Sequence, residues 1–150
     1  MLIPKKNGFS VMVNNSASSS HLRILLAEDD ATTRKIILLM LERLGYKADI
    51  ALNGQEVLRA HETKPYDLVL MDIVMPKMDG LEAARKIRER EADWPKIIAF
   101  TAYLLPDIME KCIEAGMDGY IAKPVRLKEL QAMLKHFDFI ASLGESIPQS

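Results

Sequence analysis

The stretch LVLMDIVMPKMDG, residues 68–80, joins a short apolar run to a turn and the start of a helix. Its opening residues, Leu68–Met71, are continuously apolar, as expected for a strand covered on both faces. Asp79 and Glu82 have the spacing of a capping box, in which two side chains bond the backbone at the start of a helix. The stretch therefore predicts a buried strand and a following helix, with Asp72 at the carboxyl end of the strand.

The same alternation of a short apolar strand and a helix extends in both directions from this unit. Asn53 and Glu56 again have capping-box spacing, and Pro106 suits the first turn of a helix. Five strands are predicted: Arg23–Ala27, Tyr46–Ala51, Leu68–Met71, Ile97–Phe100 and Gly119–Ala122. Their alternation with helices predicts an α/β fold, (βα)5, in which a parallel sheet lies between two helical layers.

Composition and charge exclude several classes of protein. The chain of 150 residues carries 20 Lys and Arg against 21 Asp and Glu, and 49% of it is hydrophobic. This balance gives no reason to expect a nucleic-acid or membrane surface, and no apolar run is long enough to span a membrane. The single cysteine, Cys112, favours a reducing, cytoplasmic location. We expect a disordered leader over residues 1–20, one domain over 21–138 and a short tail over 139–150.

Charged and polar side chains follow four of the predicted strands. Glu28 and Asp29 follow the first strand, Asp72 the third, Thr101 the fourth and Lys123 the fifth. In a parallel sheet these side chains converge beyond one edge, which is where ligands bind. Carboxylates in one pocket oppose each other's ionisation, and a divalent cation such as Mg²⁺ or Mn²⁺ would relieve the conflict. With a lysine and a hydroxyl, such a site can neutralise phosphoryl oxygens, and a carboxylate in it can act as a nucleophile.

Four motifs, each at the end of a predicted strand, together indicate a family. The segments LLAEDDATTR, LVLMDIVMPKMDG, FTA and GYIAKP resemble the receiver domain of two-component response regulators. The resemblance covers residues 23–137 and implies a flavodoxin-like three-layer fold with the strand order 2-1-3-4-5. The segment EKCIEAGMDGYIAKP is most similar to receivers of hybrid sensor histidine kinases, which implies phosphorelay signalling.

The resemblance also implies roles for individual residues. Asp72 matches the phosphoacceptor, which takes a phosphoryl group from a phosphohistidine on a partner. Asp29 matches a direct Mg²⁺ ligand, and Glu28 matches the second acid of the metal site. Val74 matches a residue whose backbone carbonyl contacts the ion, and Lys123 matches the lysine that pairs with the phosphoryl oxygens. The resemblance thus implies a Mg²⁺-dependent phosphoacceptor site.

A second group of residues resembles the conformational switch of the family. Thr101 matches the hydroxyl that bonds the phosphoryl group, and the small Ala102 beside it leaves access. Tyr120 matches an aromatic residue that turns inward when the threonine moves, which alters the surface of the fourth helix, fifth strand and fifth helix. The bond between Lys123 and Pro124 is expected to be cis, as in many members of the family.

The expected function is a phosphorylation-controlled switch, with no enzymatic activity beyond slow autodephosphorylation. Val74 and Tyr103 lie where receivers that lose phosphate quickly often carry polar groups. The expected partners are a histidine kinase or a histidine phosphotransfer protein and a downstream protein target. A second copy of the chain could pair through the surface of the fourth helix, fifth strand and fifth helix.

Three other functions share parts of this pattern. A phosphorylation-independent interaction module would be expected to have lost an acid or Lys123. A phosphohydrolase of the haloacid dehalogenase type places a second acid two residues after its nucleophile, where this chain has Val74. A flavodoxin-like nucleotide or flavin carrier has a glycine-rich loop after the first strand, where this chain has three acids, residues 28–30.

Overall fold

A computed structural model of the chain describes residues 22–102 and 105–145. The strands of this part are β1 (Ile24–Ala27), β2 (Ala48–Ala51), β3 (Leu68–Asp72), β4 (Lys96–Thr101) and β5 (Gly119–Ala122). The helices are α1 (Ala31–Arg43), α2 (Gly54–Thr63), α3 (Gly80–Arg90), α4 (Pro106–Glu114) and α5 (Leu127–Glu145). Each strand is followed by a helix, as predicted.

The strands form one sheet in the order β2-β1-β3-β4-β5, and all neighbouring strands are parallel. The α/β fold and the strand order 2-1-3-4-5 are therefore confirmed. Asp72 at the end of β3 lies in register with Phe100, and Thr101 at the end of β4 lies in register with Ala122. This register aligns the carboxyl ends of the strands along one edge of the sheet.

Both faces of the sheet are covered by helices. One core cluster packs side chains of α2, α3 and α4 against one face, and a second packs α1 and α5 against the other. Leu25 and Leu26 are neighbours on β1, belong to different clusters and are each fully buried. Every residue of β3 is also buried. The continuous apolar runs of β1 and β3 follow from this burial on two faces.

The predicted helix starts are present, with one difference in detail. Asn53 accepts a hydrogen bond from the backbone of Glu56, and Asp79 accepts one from the backbone of Glu82. In a capping box the Glu56 carboxylate would accept from the backbone of Asn53. Here its Oε1 accepts from Leu52, one residue earlier, at 2.8 Å. The Glu56 side chain therefore holds the backbone of Leu52, where the prediction had the backbone of Asn53.

Two boundaries differ from the prediction by more than one residue. Tyr46 lies outside β2 because its backbone N–H bonds the carbonyl of Leu41 in the last turn of α1, beside Gly45 at φ 91°. Helix α5 continues to Glu145, beyond the domain end predicted at residue 138. Ile140 and Ala141 continue the packing of α5 against the core, which explains the extension. Within residues 22–102 and 105–145, no helix has the length and apolarity that crossing a membrane requires.

Candidate functional site

The side chains predicted for the site meet beyond the carboxyl edge of the sheet. Glu28 and Asp29 follow β1, Asp72 ends β3, and Lys123 follows β5. One carboxylate oxygen from each of Glu28, Asp29 and Asp72 lies within 4.8 Å of those of the other two. We call these three residues the acidic cluster. The parallel sheet thus brings together acids that are far apart in the sequence.

Lys123 is shared between two members of the acidic cluster. Its Nζ lies 2.9 Å from Oε1 of Glu28 and 3.3 Å from Oδ1 of Asp72. The Glu28 side chain is 1% exposed and that of Asp72 is 9% exposed, so solvent screens these contacts weakly. Asp29 is exposed at the rim. The bond from Lys123 to Pro124 is cis, as the resemblance implied.

Burial and neighbouring charges shift two titrations in the site. Burial raises the pKa of Asp72 to about 6, the Glu28 carboxylate adds to the shift, and Lys123 opposes it. Burial lowers the pKa of Lys123, but the carboxylates of Glu28 and Asp72 outweigh that effect and the pKa is raised overall. The carboxylate of Asp72 is therefore held in an environment that penalises its charge.

Asp30 serves a structural purpose beside the cluster. Its Oδ2 accepts hydrogen bonds from the backbone and the hydroxyl of Thr33, both at 2.8 Å. The backbone bond from Thr33 is the main cause that lowers the pKa of Asp30. The backbone N–H of Asp30 donates to Oε2 of Glu28 at 3.1 Å. Asp30 therefore caps α1 and helps to orient Glu28.

Arg34 contributes to the site and was given no role by the sequence analysis. Its Nη1 donates to the backbone carbonyls of Glu28 at 3.0 Å and Asp29 at 3.3 Å. The guanidinium thus holds the backbone of the two acids from the first turns of α1. A positive charge near the N-terminus of a helix interacts unfavourably with the helix dipole. An arginine at this position therefore indicates a specific contact, and this was the signal for Arg34 that the sequence offered.

The loop between β3 and α3 also supports Asp72. The backbone N–H of Val74 donates to Oδ1 of Asp72 at 3.3 Å, while the Val74 side chain is exposed. The N–H of Gly80 donates to the carbonyl of Ile73 at 2.8 Å. A Cβ at Gly80 would overlap the backbone oxygen of Asp72, so only glycine permits this close approach. This contact explains Gly80 in the starting motif, and the cap of α3 explains Asp79.

The residues predicted for the switch lie at different depths. Thr101 is buried at the end of β4, and its carbonyl accepts a hydrogen bond from the backbone of Lys123 at 2.9 Å. Ala102 is exposed beside it. Tyr120 lies on β5 and is 40% exposed. Tyr103 lies outside the described residues.

The acidic cluster fits a divalent cation. It supplies carboxylate oxygens, which are the ligands that Mg²⁺ prefers. Within the described part of the chain, Oε1 of Glu28 is buried and has no hydrogen bond of regular geometry, although it forms the ion pair with Lys123. A buried carboxylate oxygen in this position can accept a further positive partner. The donor set therefore suits Mg²⁺.

Comparison with known proteins places the chain in a family. A family model for the response regulator receiver domain matches residues 24–135. The chain belongs to this family, whose members are phosphoacceptor signalling domains of two-component phosphorelays. The family and the function predicted from the four motifs are thus confirmed, and the alternatives are disfavoured.

Several relatives of the chain are histidine kinases. The chain is 39% identical to Histidine protein kinase 1 of Candida albicans, over 83% of this chain and 6% of that protein. It is 34% identical to Hybrid signal transduction histidine kinase K of Dictyostelium discoideum, over 76% of this chain and 10% of that protein. The chain therefore spans a small fraction of these relatives, and the predicted likeness to receivers of hybrid kinases is confirmed.

Solved structures agree with the same family. The receiver domain of a sensor histidine kinase from Pseudomonas aeruginosa PAO1 is 38% identical, with a TM-score of 0.73 over 81% of this chain and 98% of that one. That structure has a magnesium ion coordinated in its active site cleft. A CheY-like receiver domain protein from Methanospirillum hungatei is 30% identical, with a TM-score of 0.74 over 82% of this chain and 98% of that one.

Proposed function

We propose that Asp72 accepts a phosphoryl group from a phosphohistidine and that this switches a protein-interaction surface. The observation that supports the proposal most directly is the position of the Asp72 carboxylate. It lies 3.3 Å from Nζ of Lys123 and belongs to a cluster with Glu28 and Asp29. An anionic nucleophile beside a fixed cation can meet a phosphoryl group whose charge that cation neutralises.

In the proposed step, a carboxylate oxygen of Asp72 forms a bond to phosphorus while the bond from phosphorus to the donor imidazole nitrogen breaks. The imidazole nitrogen keeps the electron pair and takes a proton from water. Because the pKa of Asp72 is about 6, the carboxylate is ionised at neutral pH. Lys123 pairs with the phosphoryl oxygens, and the Thr101 hydroxyl hydrogen-bonds one of them.

The acidic cluster would hold a Mg²⁺ ion, or Mn²⁺ in its place, with the backbone carbonyl of Val74 as a further ligand. When bound, the ion supplies positive charge to the carboxylates and to the phosphoryl oxygens. The charge balance supports this assignment, since three carboxylates face one ammonium.

The phosphoryl donor would be a histidine kinase or a histidine phosphotransfer protein in the cytoplasm. Helix α1 begins directly after Asp30 and presents Ile36 and Leu39 to solvent, and these residues are 49% and 55% exposed. Residues three apart lie on the same side of a helix, so these two form an exposed apolar surface on the helix that follows Glu28 and Asp29. A partner that docks on α1 can bring its phosphohistidine to Asp72.

The output surface would consist of α4, β5 and α5. Tyr120 on β5 and Ile113 on α4 are exposed, and Thr101 lies at the end of the neighbouring strand β4. In the proposed switch, Thr101 moves toward the phosphoryl group and Tyr120 turns inward. This shifts the equilibrium between two arrangements of the surface, which a downstream protein or a second copy of the chain would recognise.

The phosphorylated form would lose its phosphoryl group slowly. Val74, two residues after Asp72, is aliphatic, so its side chain offers no group to orient an attacking water. The same feature disfavours a phosphohydrolase of the haloacid dehalogenase type, which needs an acid at that place to serve the leaving group.

Intact-protein mass spectrometry after incubation with acetyl phosphate and Mg²⁺ tests the proposal. We expect one added phosphoryl group on the parent and none on Asp72→Asn. Asp79→Asn is the matched control because Asp79 caps α3 and asparagine is also a good N-cap residue. Following the mass after removal of acetyl phosphate gives the rate of loss. An unlabelled parent, or equal labelling of the parent and Asp72→Asn, would contradict the assignment.

A further inference from the structure

The loop between β3 and α3, residues 73–79, is anchored to the core by two methionines. Met75 is buried, and Met78 packs partly buried against the core cluster that contains side chains of α2 and α3. The residues between them, Pro76 and Lys77, are exposed. The loop therefore rests on α2 and α3 through its methionine side chains and turns outward between them.

The outward turn has a strained backbone at Lys77. The φ angle of Lys77 is 69°, in the left-handed region that residues with a Cβ rarely adopt. The N–H of Met78 donates to the carbonyl of Pro76 at 2.7 Å, which closes a γ-turn around Lys77. A γ-turn with a positive φ at its central residue is the rarer and more strained of the two forms. Such a conformation persists only where the surrounding structure holds it.

The first turn of α2 holds this γ-turn through Gly54. The backbone N–H of Gly54 donates to the carbonyl of Met78 at 2.8 Å, which satisfies a donor that the helix ladder does not use. A Cβ at Gly54 would lie 2.6 Å from the backbone oxygen of Met78 and 2.9 Å from its Cβ, so an alanine would displace the loop. The side chains of Asn53 and Glu56 fix this end of α2 by hydrogen bonds to its backbone and to Leu52. Gly54 therefore joins a fixed helix start to the strained turn.

The position of the turn affects the backbone of Val74. The N–H of Val74 donates to Oδ1 of Asp72 at 3.3 Å, and its carbonyl is the Mg²⁺ ligand assigned in the proposed function. Met75 alone separates Val74 from the γ-turn, so relaxation of the turn would move this carbonyl. If only a fraction of the molecules keeps the competent loop, the apparent Kd for the ion rises by the inverse of that fraction.

We propose that Gly54 and Met78 are positioning residues for the Asp72 site. Their contact holds the turn at Lys77 in its strained form, and the turn fixes the backbone of Val74 beside Asp72. The strain at Lys77 favours release of the loop, and the contact with α2 opposes it. The inference rests on the proposed function, because the roles of Asp72 and Val74 are those assigned there.

Titration of the ¹⁵N-labelled full chain with MgCl₂, followed by amide NMR on the folded protein, tests the proposal. Gly54→Ala should raise the Kd for Mg²⁺ about fivefold and should shift the amide signal of Val74 before any Mg²⁺ is added. If Gly54→Ala does not fold, Met78→Ala replaces it, with an expected rise of about twofold. Gly45→Ala is the matched control, because Gly45 has a φ of 91° and this substitution strains the backbone after α1 instead. It should leave the Kd unchanged.

A second substitution, at Lys77, separates positioning from a general loss of stability. Glycine adopts a positive φ without strain, so Lys77→Gly removes the cause that relaxes the turn. Added to Gly54→Ala, it should return the Kd to within about twofold of the parent and move the Val74 signal back toward its parent position. Lys77→Ala is the control because it removes the same charge and keeps a Cβ, so it should not restore binding.

Two outcomes would overturn the proposal. One is a Kd that Gly54→Ala leaves unchanged, and the other is equal recovery with Lys77→Gly and Lys77→Ala. In both cases the proposed function stands, provided that the parent binds Mg²⁺ and is labelled by acetyl phosphate. A parent that neither binds Mg²⁺ nor takes up a phosphoryl group would contradict the proposed function, and the inference would fall with it.

Discussion

The two ends of the sheet contain the same kinds of charged residue and balance them in opposite ways. At the amino end, Arg23 lies 2.8 Å from Asp67, and Arg88 lies 2.9 Å from Asp118. Each of these acids has its own guanidinium. At the carboxyl end, one ammonium serves the acidic cluster, which contains three carboxylates. These two acids of the amino end are matched by cations, and the acidic cluster of the carboxyl end is left with excess negative charge.

Two aspartates show the consequence of this difference. The hydrogen bond from Lys64 is the main cause that lowers the pKa of Asp49, with Tyr66 as a second donor. Burial raises the pKa of Asp72. A matched acid stabilises the fold at neutral pH, whereas an acid with a raised pKa destabilises it. The carboxyl end therefore gives up stability and gains the capacity to bind a cation and a phosphoryl group.

The largest expected change in the free energy of unfolding comes from a substitution of Arg88, at the amino end of the sheet. Arg88 donates to the carbonyls of Gly116 and Pro95 and to the carboxylate of Asp118, at distances from 2.7 to 2.9 Å. It joins the end of α3 to the segments that precede β4 and β5. Because Arg88→Met removes the donor from two part-buried carbonyls, those of Gly116 and Pro95, and the ionic partner of Asp118, we expect a loss of about 2–4 kcal/mol in the free energy of unfolding.

Urea unfolding followed by circular dichroism measures this loss. Arg90→Met is the matched control, because Arg90 lies two residues away with its side chain 63% exposed and pairs at the surface with Glu62. Exposed pairs of this kind contribute less than about 1 kcal/mol. Equal losses in the two variants would show that the contacts of Arg88 have no special weight, and the comparison between the two ends would fail.

The second largest change in the free energy of unfolding is expected in the acidic cluster, where a substitution should stabilise the protein. Asp72→Asn removes a charge that burial disfavours, so without Mg²⁺ we expect it to stabilise the protein by about 1–3 kcal/mol at pH 7. The folded pKa of Asp72 is about 6 against an ordinary value of 3.8. Between these values the folded protein binds more protons than the unfolded protein, so the stability of the parent falls as pH rises. The advantage of Asp72→Asn should therefore appear between pH 4 and 6 and persist above.

Urea unfolding at several pH values in EDTA measures this difference, and Asp49→Asn is its counterpart at the amino end. The Asp49 carboxylate lies 2.7 Å from Lys64, and its pKa is lowered, so its replacement should destabilise the protein at neutral pH. The effect should be small because the Asp49 side chain is 48% exposed. If both substitutions change stability in the same direction, the contrast between matched and unmatched ends is wrong.

Sequence patterns predicted the sheet because its central strands are buried on two faces. A four-residue apolar run such as Leu68–Met71 is typical of a strand that is buried on both faces. Asp72 follows this run directly, and that position located the site. The identity of the acids, the lysine and the hydroxyl could be predicted because parallel topology alone brings strand ends together. The sheet order came from the family resemblance, since periodicity does not specify which strands are neighbours.

Two parts that sequence analysis missed have different causes. The C-terminal turns of α5 form because Ile140 and Ala141 reach the core, and these residues continue the helical spacing of Phe137 that the prediction ended too early. The bonds from Arg34 to the backbone of Glu28 and Asp29 join a helix to a loop, and a lone arginine on a helix is usually solvated. Such contacts appear only once the elements are placed in space.

The smallest expected effect concerns Arg34, whose charge and geometry predict opposite results for Mg²⁺ binding. Removing a positive charge near the acidic cluster would by itself strengthen the binding of a cation. Removing the bonds to the carbonyls of Glu28 and Asp29 would loosen the backbone that positions both acids and weaken binding. We expect the geometric effect to prevail, so Arg34→Met should raise the Kd for Mg²⁺ about threefold, measured by amide NMR titration.

Lys35→Met is the control because Lys35 is the exposed neighbour, and it should lower the Kd slightly through charge alone. Arg34→Lys keeps the positive charge without the guanidinium, so binding as tight as the parent's would show that the guanidinium is not needed to position the two acids.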